Sequence, residues 1–141
     1  MRNANILALL LPASLLGGAL LSQFAFGLVA CEMCHWQRWP HYAALLPAMV
    51  GIFARHATVK RSMIVLAALL VATSGAIGVF HAGVEYGFWL GLPACTAAPG
   101  GTLADIMNAP ITRCDTPAWT MFGISMAGYN ALISLGGALL L

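Results

Sequence analysis

The chain has 141 residues, 61% of them hydrophobic and only 7% charged, where a soluble domain averages about 25% charged residues. A formal charge of +2, with no basic patch outside one short loop, excludes a nucleic-acid-binding protein. What remains is one compact all-α membrane domain, with room for four spans of roughly 20 apolar residues each and one larger loop.

In chain order, the first span is expected over residues 6–29, since no charge occurs between Arg2 and Glu32. The stretch Leu28 to Cys31 (LVAC) resembles a lipoprotein cleavage site. The apolar run before it, however, far exceeds the roughly 7–15 residues of a signal h-region. The second span is expected over residues 36–54. Starting it at Pro40 would leave about 14 residues, some 21 Å, which is short for a crossing. The helix is therefore expected to begin near Trp36, with Pro40 close to its first turn, where a missing N–H costs little. Pro47 inside it predicts a kink. The third span is expected over residues 62–80 and the fourth, which carries no charge, over 119–141. Residues 81–118 form the larger loop. Its opening run, His81 to Trp89 (HAGVEYGFW), reads as a short interfacial helix on the membrane surface. Small residues at Gly17, Gly18, Ala68, Ala72, Ala76, Gly136 and Gly137 suit close helix approach in lipid.

Charge sets the orientation. Arg2, Arg55, Lys60 and Arg61 put +4 on one side, whereas Arg38, Arg113, Glu32, Glu85, Asp105 and Asp115 leave −2 on the other. Because Lys and Arg stay cytoplasmic, both termini are expected on the cytoplasmic side and all four cysteines are expected to face outward. Trp36, Trp39, Trp89 and Trp119 then fall near the outer surface, as an interfacial aromatic belt would.

Four cysteines on the oxidising side invite disulfides, with three pairings open. Cys31 and Cys34 are the natural local pair, which leaves Cys95 with Cys114 across the loop. A loop of that size gains about 3 kcal/mol from a cross-link, so this pair alone could be a staple. The ring closed by Cys31 and Cys34 is too short to gain much that way, and C-x-x-C at a helix start points to redox or metal chemistry. Cys31, Cys34, His35 and His41 could ligate a metal. Their spacing matches no usual zinc pattern, and His35 lies about 100° around the helix from Cys34. Redox is therefore favoured. Cys34, Arg38 and His41, at i, i+4 and i+7, share one helix face, which Cys31 extends if its backbone is nearly helical. A helix N-terminus and a nearby Arg both lower a thiol pKa, so Cys34 is expected to be a stable thiolate and a good leaving group. Arg38 could be a snorkelling arginine. One turn from a C-x-x-C at the lipid boundary, it reads better as a hydrogen-bond donor to a lipid-soluble acceptor. His81 and Glu85, at i and i+4, are either ordinary interface residues or part of the same pocket.

Cys31-x-x-Cys34-x-x-x-Arg38 after one span, then HAGVEYGFW, Cys95, Cys114 and a last span opening WTMFGISMAGYNAL, together resemble the bacterial disulfide bond formation protein B (DsbB) family over almost the whole chain. The resemblance implies a four-helix membrane oxidase that reoxidises a periplasmic thioredoxin-like thiol oxidase (DsbA-like). It implies that Cys95–Cys114 takes electrons from that partner, with Cys95 attacked. They then pass to Cys31–Cys34 and to a quinone, ubiquinone or menaquinone, with Arg38 beside the ring. His81 corresponds to a quinone-side histidine of some members. Two other readings stand beside this one. A small metal-binding or transport protein would want an ionisable residue deep in a span, and by sequence only Gln23 comes near that. A structural anchor with a docking loop would not need Cys31.

Overall fold

In the computed structural model of the protein, residues 2–92 and 113–141 are described. They form four helices and one small hairpin: α1 Arg2–Phe24, α2 Glu32–Phe53, α3 Ala57–Glu85, β1 Thr120–Met121, β2 Ile124–Ser125 and α4 Met126–Leu140. Two helices, over Asn3–Phe24 and Ala57–Glu85, are long and apolar enough to cross a membrane. α2 is 22 residues long but carries Gln37, Arg38 and His41 on its buried side. α4 is apolar but has 15 residues, or about 22 Å.

The helix ends differ from the sequence expectation for local reasons. α1 stops at Phe24, short of the expected residue 29, because Gly27 takes φ +68°. That turn lets Leu28 N–H reach back to Ser22 O at 3.1 Å. α2 begins at Glu32, not near Trp36, so Pro40 sits in its third turn. The helix runs on through Pro40 and Pro47.

α3 extends to Glu85, so His81 and Glu85 belong to its last turns and not to a separate surface helix. Its end is a Schellman arrangement: Phe88 N–H bonds Gly83 O and Gly87 N–H bonds Val84 O, with Gly87 at φ +74°. The reversal folds Trp89 back on the helix. Its ring stacks on Phe80 at 5.9 Å and fills the space a side chain at Gly83 would need. Of the expected loop over residues 81–118, the part from 93 to 112, Cys95 and Asp105 included, lies outside the described residues.

The last helix starts at Met126 and not at Trp119. Phe122 and Gly123 both have positive φ, +52° and +78°, which makes a tight hairpin turn of the type that suits strand twist. Tyr86 Oη pins this hairpin to the end of α3, donating to Gly123 O and accepting from Ser125 N–H, both at 2.9 Å. Ser125 then caps α4, its hydroxyl accepting from Gly128 N–H at 3.1 Å.

α2 lies between α1 and α3, and α3 between α2 and α4, while α1 and α4 barely touch. Small residues do bring helices together, but mostly not the expected ones. A Cβ at Gly78 would meet the Ala131 backbone N at 3.0 Å and Ala127 O at 3.1 Å, whereas Gly17, Gly18 and Gly136 face nothing within 4 Å. Gly78→Leu is therefore expected to push α3 from α4 and lower the thermal midpoint in detergent by the equivalent of about 1–3 kcal/mol. Gly136→Ala should leave the midpoint within error. Equal midpoints for the two variants would contradict the close α3–α4 approach.

Candidate functional site

Cys31 is not helical. Its backbone is extended (φ −76°, ψ 171°), and it serves as the N-cap of α2, its Sγ accepting from Cys34 N–H at 3.3 Å. The cap does what helical spacing was expected to do: the two sulfurs lie 2.9 Å apart, with Cys31 Sγ donating to Cys34 Sγ. Both are free thiols, and both precede the apolar part of α2. The hydrogen bond from Cys31 is the main reason the Cys34 thiol is held below its ordinary range; the Arg38 charge adds a smaller push, against opposing burial. That same donation, followed by burial, holds the Cys31 thiol well above its ordinary range. Of the two, Cys34 is thus the sulfur that loses its proton more readily and Cys31 the one that keeps it.

On the Cys31 side lies a buried cluster of Cys31, Met33, Val84 and Cys114. Cys114 is disulfide-bonded and 1% exposed. Cys95, which the sequence reading pairs with it, lies outside the described residues. His81, also 1% exposed, joins this side: its Nε2 is 3.5 Å from Cys31 Sγ and 3.6 Å from Glu85 Oε1.

On the Cys34 side lies a cavity of about 220 Å³ in the gap between α1 and α4. Its wall is mostly apolar, with Leu15, Leu16, Ala19, Leu28 and Val29 on the α1 side and Met126 and Ala127 on the α4 side. Cys34, Gln37, Arg38, His41 and Glu85 supply its polar edge. Arg38 is 8% exposed. It does not snorkel outward but reaches α1, donating through Nη1 to Gln23 Oε1 and through Nη2 to Ala19 O at 3.3 Å. Five guanidinium N–H groups exist, so donors remain for a ligand. His81 does not line this cavity; it stands on the Cys31 side of the sulfurs.

A buried polar network, which the sequence reading did not anticipate, ties the two histidines together. Gln37 Nε2 donates to His81 Nδ1 at 2.7 Å. Gln37 Oε1 accepts from Asn130 Nδ2 at 2.8 Å. Asn130 Oδ1 lies 3.0 Å from His41 Nε2 and accepts from Ser134 Oγ at 3.0 Å. Ser74 Oγ donates to Gln37 O at 2.7 Å and sits 2.9 Å from His41 Nε2. An amide N–H₂ can only donate, so His81 Nδ1 must accept and its neutral proton sits on Nε2, facing Cys31 and Glu85. By the same logic the neutral His41 proton sits on Nε2.

His41 adds a buried ionisable group to the middle of α2. His41 is 3% exposed and lies roughly 14 Å along α2 at 1.5 Å per residue. Polar residues inside apolar helices are functional candidates by default. Asn130 in an otherwise uncharged last helix was the legible signal. His35 is exposed and joins neither group. The metal-capable set is instead Cys31, Cys34 and His81.

The cavity side could hold a flat apolar compound that carries oxygen acceptors. The walls are apolar, Arg38 presents donors, and the thiolate-forming sulfur lies in the same wall.

A family model described as disulfide bond formation protein DsbB matches residues 1–141, the whole chain. The chain is also similar to an uncharacterised protein, RP370, of Rickettsia prowazekii (strain Madrid E). The two are 22% identical over 139 residues, covering 93% of this chain and 80% of the relative. No solved structure matches the chain.

Proposed function

The chain belongs to the DsbB family of membrane disulfide bond formation proteins, and from that premise we propose that it is a thiol:quinone oxidoreductase that reoxidises a periplasmic thioredoxin-like thiol oxidase. In this reading all four helices span a bacterial inner membrane, with both termini cytoplasmic and the cysteines outside. One observation carries it: the Cys31–Cys34 pair meets buried Cys114 on one side and the Arg38-edged apolar cavity on the other. A relay needs both contacts.

The residues divide the work as follows. A partner thiolate attacks Cys95 of the Cys95–Cys114 disulfide, and Cys114 leaves as thiolate. Cys114 attacks Cys31 of the oxidised pair, and Cys34 leaves, which its lowered thiol pKa favours. The partner's second thiol resolves the mixed disulfide at Cys95, and Cys95 reforms its bond to Cys114, freeing Cys31 as thiol. Two electrons have moved from partner to Cys31–Cys34. Bound in the cavity, a quinone supplies the terminal two-electron acceptor; Arg38 would hold an oxygen of it. Such an acceptor is required because a partner as oxidising as DsbA, near about −120 mV, can be recharged only by something at least as oxidising.

The test is anaerobic mixing of the purified protein with a quinone and an excess of reduced thioredoxin-like oxidase, following quinone absorbance. One quinone should be reduced per partner disulfide formed. Partner oxidation that proceeds with the quinone left untouched would end the proposal.

A further inference from the structure

We propose that the reduced site is also a redox-gated metal site, in which Cys31 Sγ, Cys34 Sγ, His81 Nε2 and Glu85 Oε1 take a zinc-class divalent ion. The three Cys and His donor atoms lie within 4.8 Å of one another, and Glu85 Oε1 is 3.6 Å from His81 Nε2. Tetrahedral zinc with ordinary bond lengths sets donors about 3.8 Å (S···S), 3.6 Å (S···N) and 3.4 Å (N···O) apart. The corresponding separations here are 2.9 Å, 3.5 Å and 3.6 Å. Two of the three pairs are thus already spaced for the metal, and the third needs the half-buried Cys34 sulfur to swing outward.

A second observation points the same way. Glu85 has a side chain only 5% exposed, and its Oε2 is buried with no hydrogen-bond partner among the described residues. Ser125 hydrogen-bonds this carboxyl group, yet an oxygen left buried without its own partner is costly, and a cation beside it removes the cost. This set is not the one the sequence suggested: His35 is exposed, and His41 Nε2 is taken up by Ser74 and Asn130.

Binding moves no electrons. The Cys31 thiol gives up its proton, Cys34 gives up its own where it still carries one, and the ion joins two thiolates. His81 must also move its proton from Nε2 to Nδ1, which obliges Gln37 to turn its amide so that its oxygen accepts there. The disulfide form has no thiolate to offer, so only the reduced protein binds. The metal in turn holds both sulfurs reduced, since they cannot close a disulfide while ligating it. Capture of metal and delivery of electrons therefore exclude each other. This inhibitory half rests on the quinone reading; the binding half does not.

The test uses the full chain in detergent, reduced and oxidised, titrated with Co²⁺. The reduced protein should develop thiolate-to-cobalt charge-transfer and tetrahedral ligand-field bands at one ion per chain, which Zn²⁺ displaces. The oxidised protein should develop none. Glu85→Gln should weaken cobalt binding at least about 10-fold and His81→Ala more. Zn²⁺ should also protect Cys34 of the wild-type protein from alkylation, a readout that needs no variant to fold. Arg38→Met should keep the cobalt bands even where quinone reduction is lost, which separates failure of the quinone reading from failure of this one. No thiolate–cobalt band in reduced protein, equal binding by oxidised protein, or unchanged affinity in both Glu85→Gln and His81→Ala would overturn it.

Discussion

Replacing Cys34 by serine is expected to leave less than about one part in 10³ of quinone turnover, the scale on which enzymes lose activity when a nucleophile is removed. Cys34 is the sulfur that lines the cavity and the one whose thiolate the site favours. Serine keeps the volume but cannot carry the electrons. Cys31→Ser should stop turnover equally, because no disulfide can close, yet it should leave Cys34 reactive: a serine hydroxyl can still donate to the thiolate. The pH dependence follows from the direction of the shifts. The folded Cys34 pKa is depressed, so its alkylation in the reduced protein should persist below the ordinary thiol range and fail only as pH drops through that lower value. Its contribution to the stability of the reduced fold is lost over the same interval. Cys31, raised instead, should resist alkylation well past the pH at which the unfolded chain reacts. Mass mapping of alkylated peptides across pH checks this. Turnover retained in Cys31→Ser would favour the anchor reading, and equal reactivity of the two sulfurs would remove the division of labour.

Much of this was legible in one dimension because its signals are local. The apolar runs, the C-x-x-C and Arg38 one turn on depend only on spacing along the chain. What was misread depends on a few turn residues. Gly27 ends α1 early, and Phe122-Gly123 followed by the Ser125 cap turns the start of an apparent span into a hairpin. In each case an apolar run conceals a left-handed residue. For Cys31 the position was legible and the conformation was left conditional, since an extended N-cap and a helical residue put a sulfur near the same helix start. The Gln37–Asn130–Ser74–His41 network was out of reach for another reason. Its partners lie on three helices, and their meeting depends on interhelical register set by contacts such as Gly78 against Ala131. Hydropathy averages cannot resolve that register. The same network explains in part how an imidazole comes to lie in the middle of α2: Ser74, Asn130 and Ser134 surround its Nε2, which offsets part of the cost of burying it, while Nδ1 has no hydrogen-bond partner among the described residues.

Arg38→Met is expected to cut kcat/KM for quinone by roughly 100-fold while leaving thiol exchange between partner and loop cysteines intact. Two hydrogen bonds to α1, at Gln23 and Ala19, fix the guanidinium, so its remaining donors face the cavity in one orientation. A hydrogen bond to a charged group is worth about 1.5–3 kcal/mol, and roughly 100-fold lies near the top of that range. Arg38→Lys keeps the charge but loses the planar fork. It cannot hold α1 and a ligand oxygen at once, and an intermediate loss, mostly in KM, is expected. Gln23→Leu tests the positioning alone: Arg38 stays, its orientation loosens, and KM should rise about 10-fold with kcat little changed. An arginine that only stabilised the helix end would give another pattern. Its loss would lower the thermal midpoint and scale kcat with the folded fraction, and KM for quinone would not move in any of the three variants. The KM series across Arg38→Met, Arg38→Lys and Gln23→Leu, measured beside their midpoints, therefore decides whether this buried cation serves the fold or the acceptor.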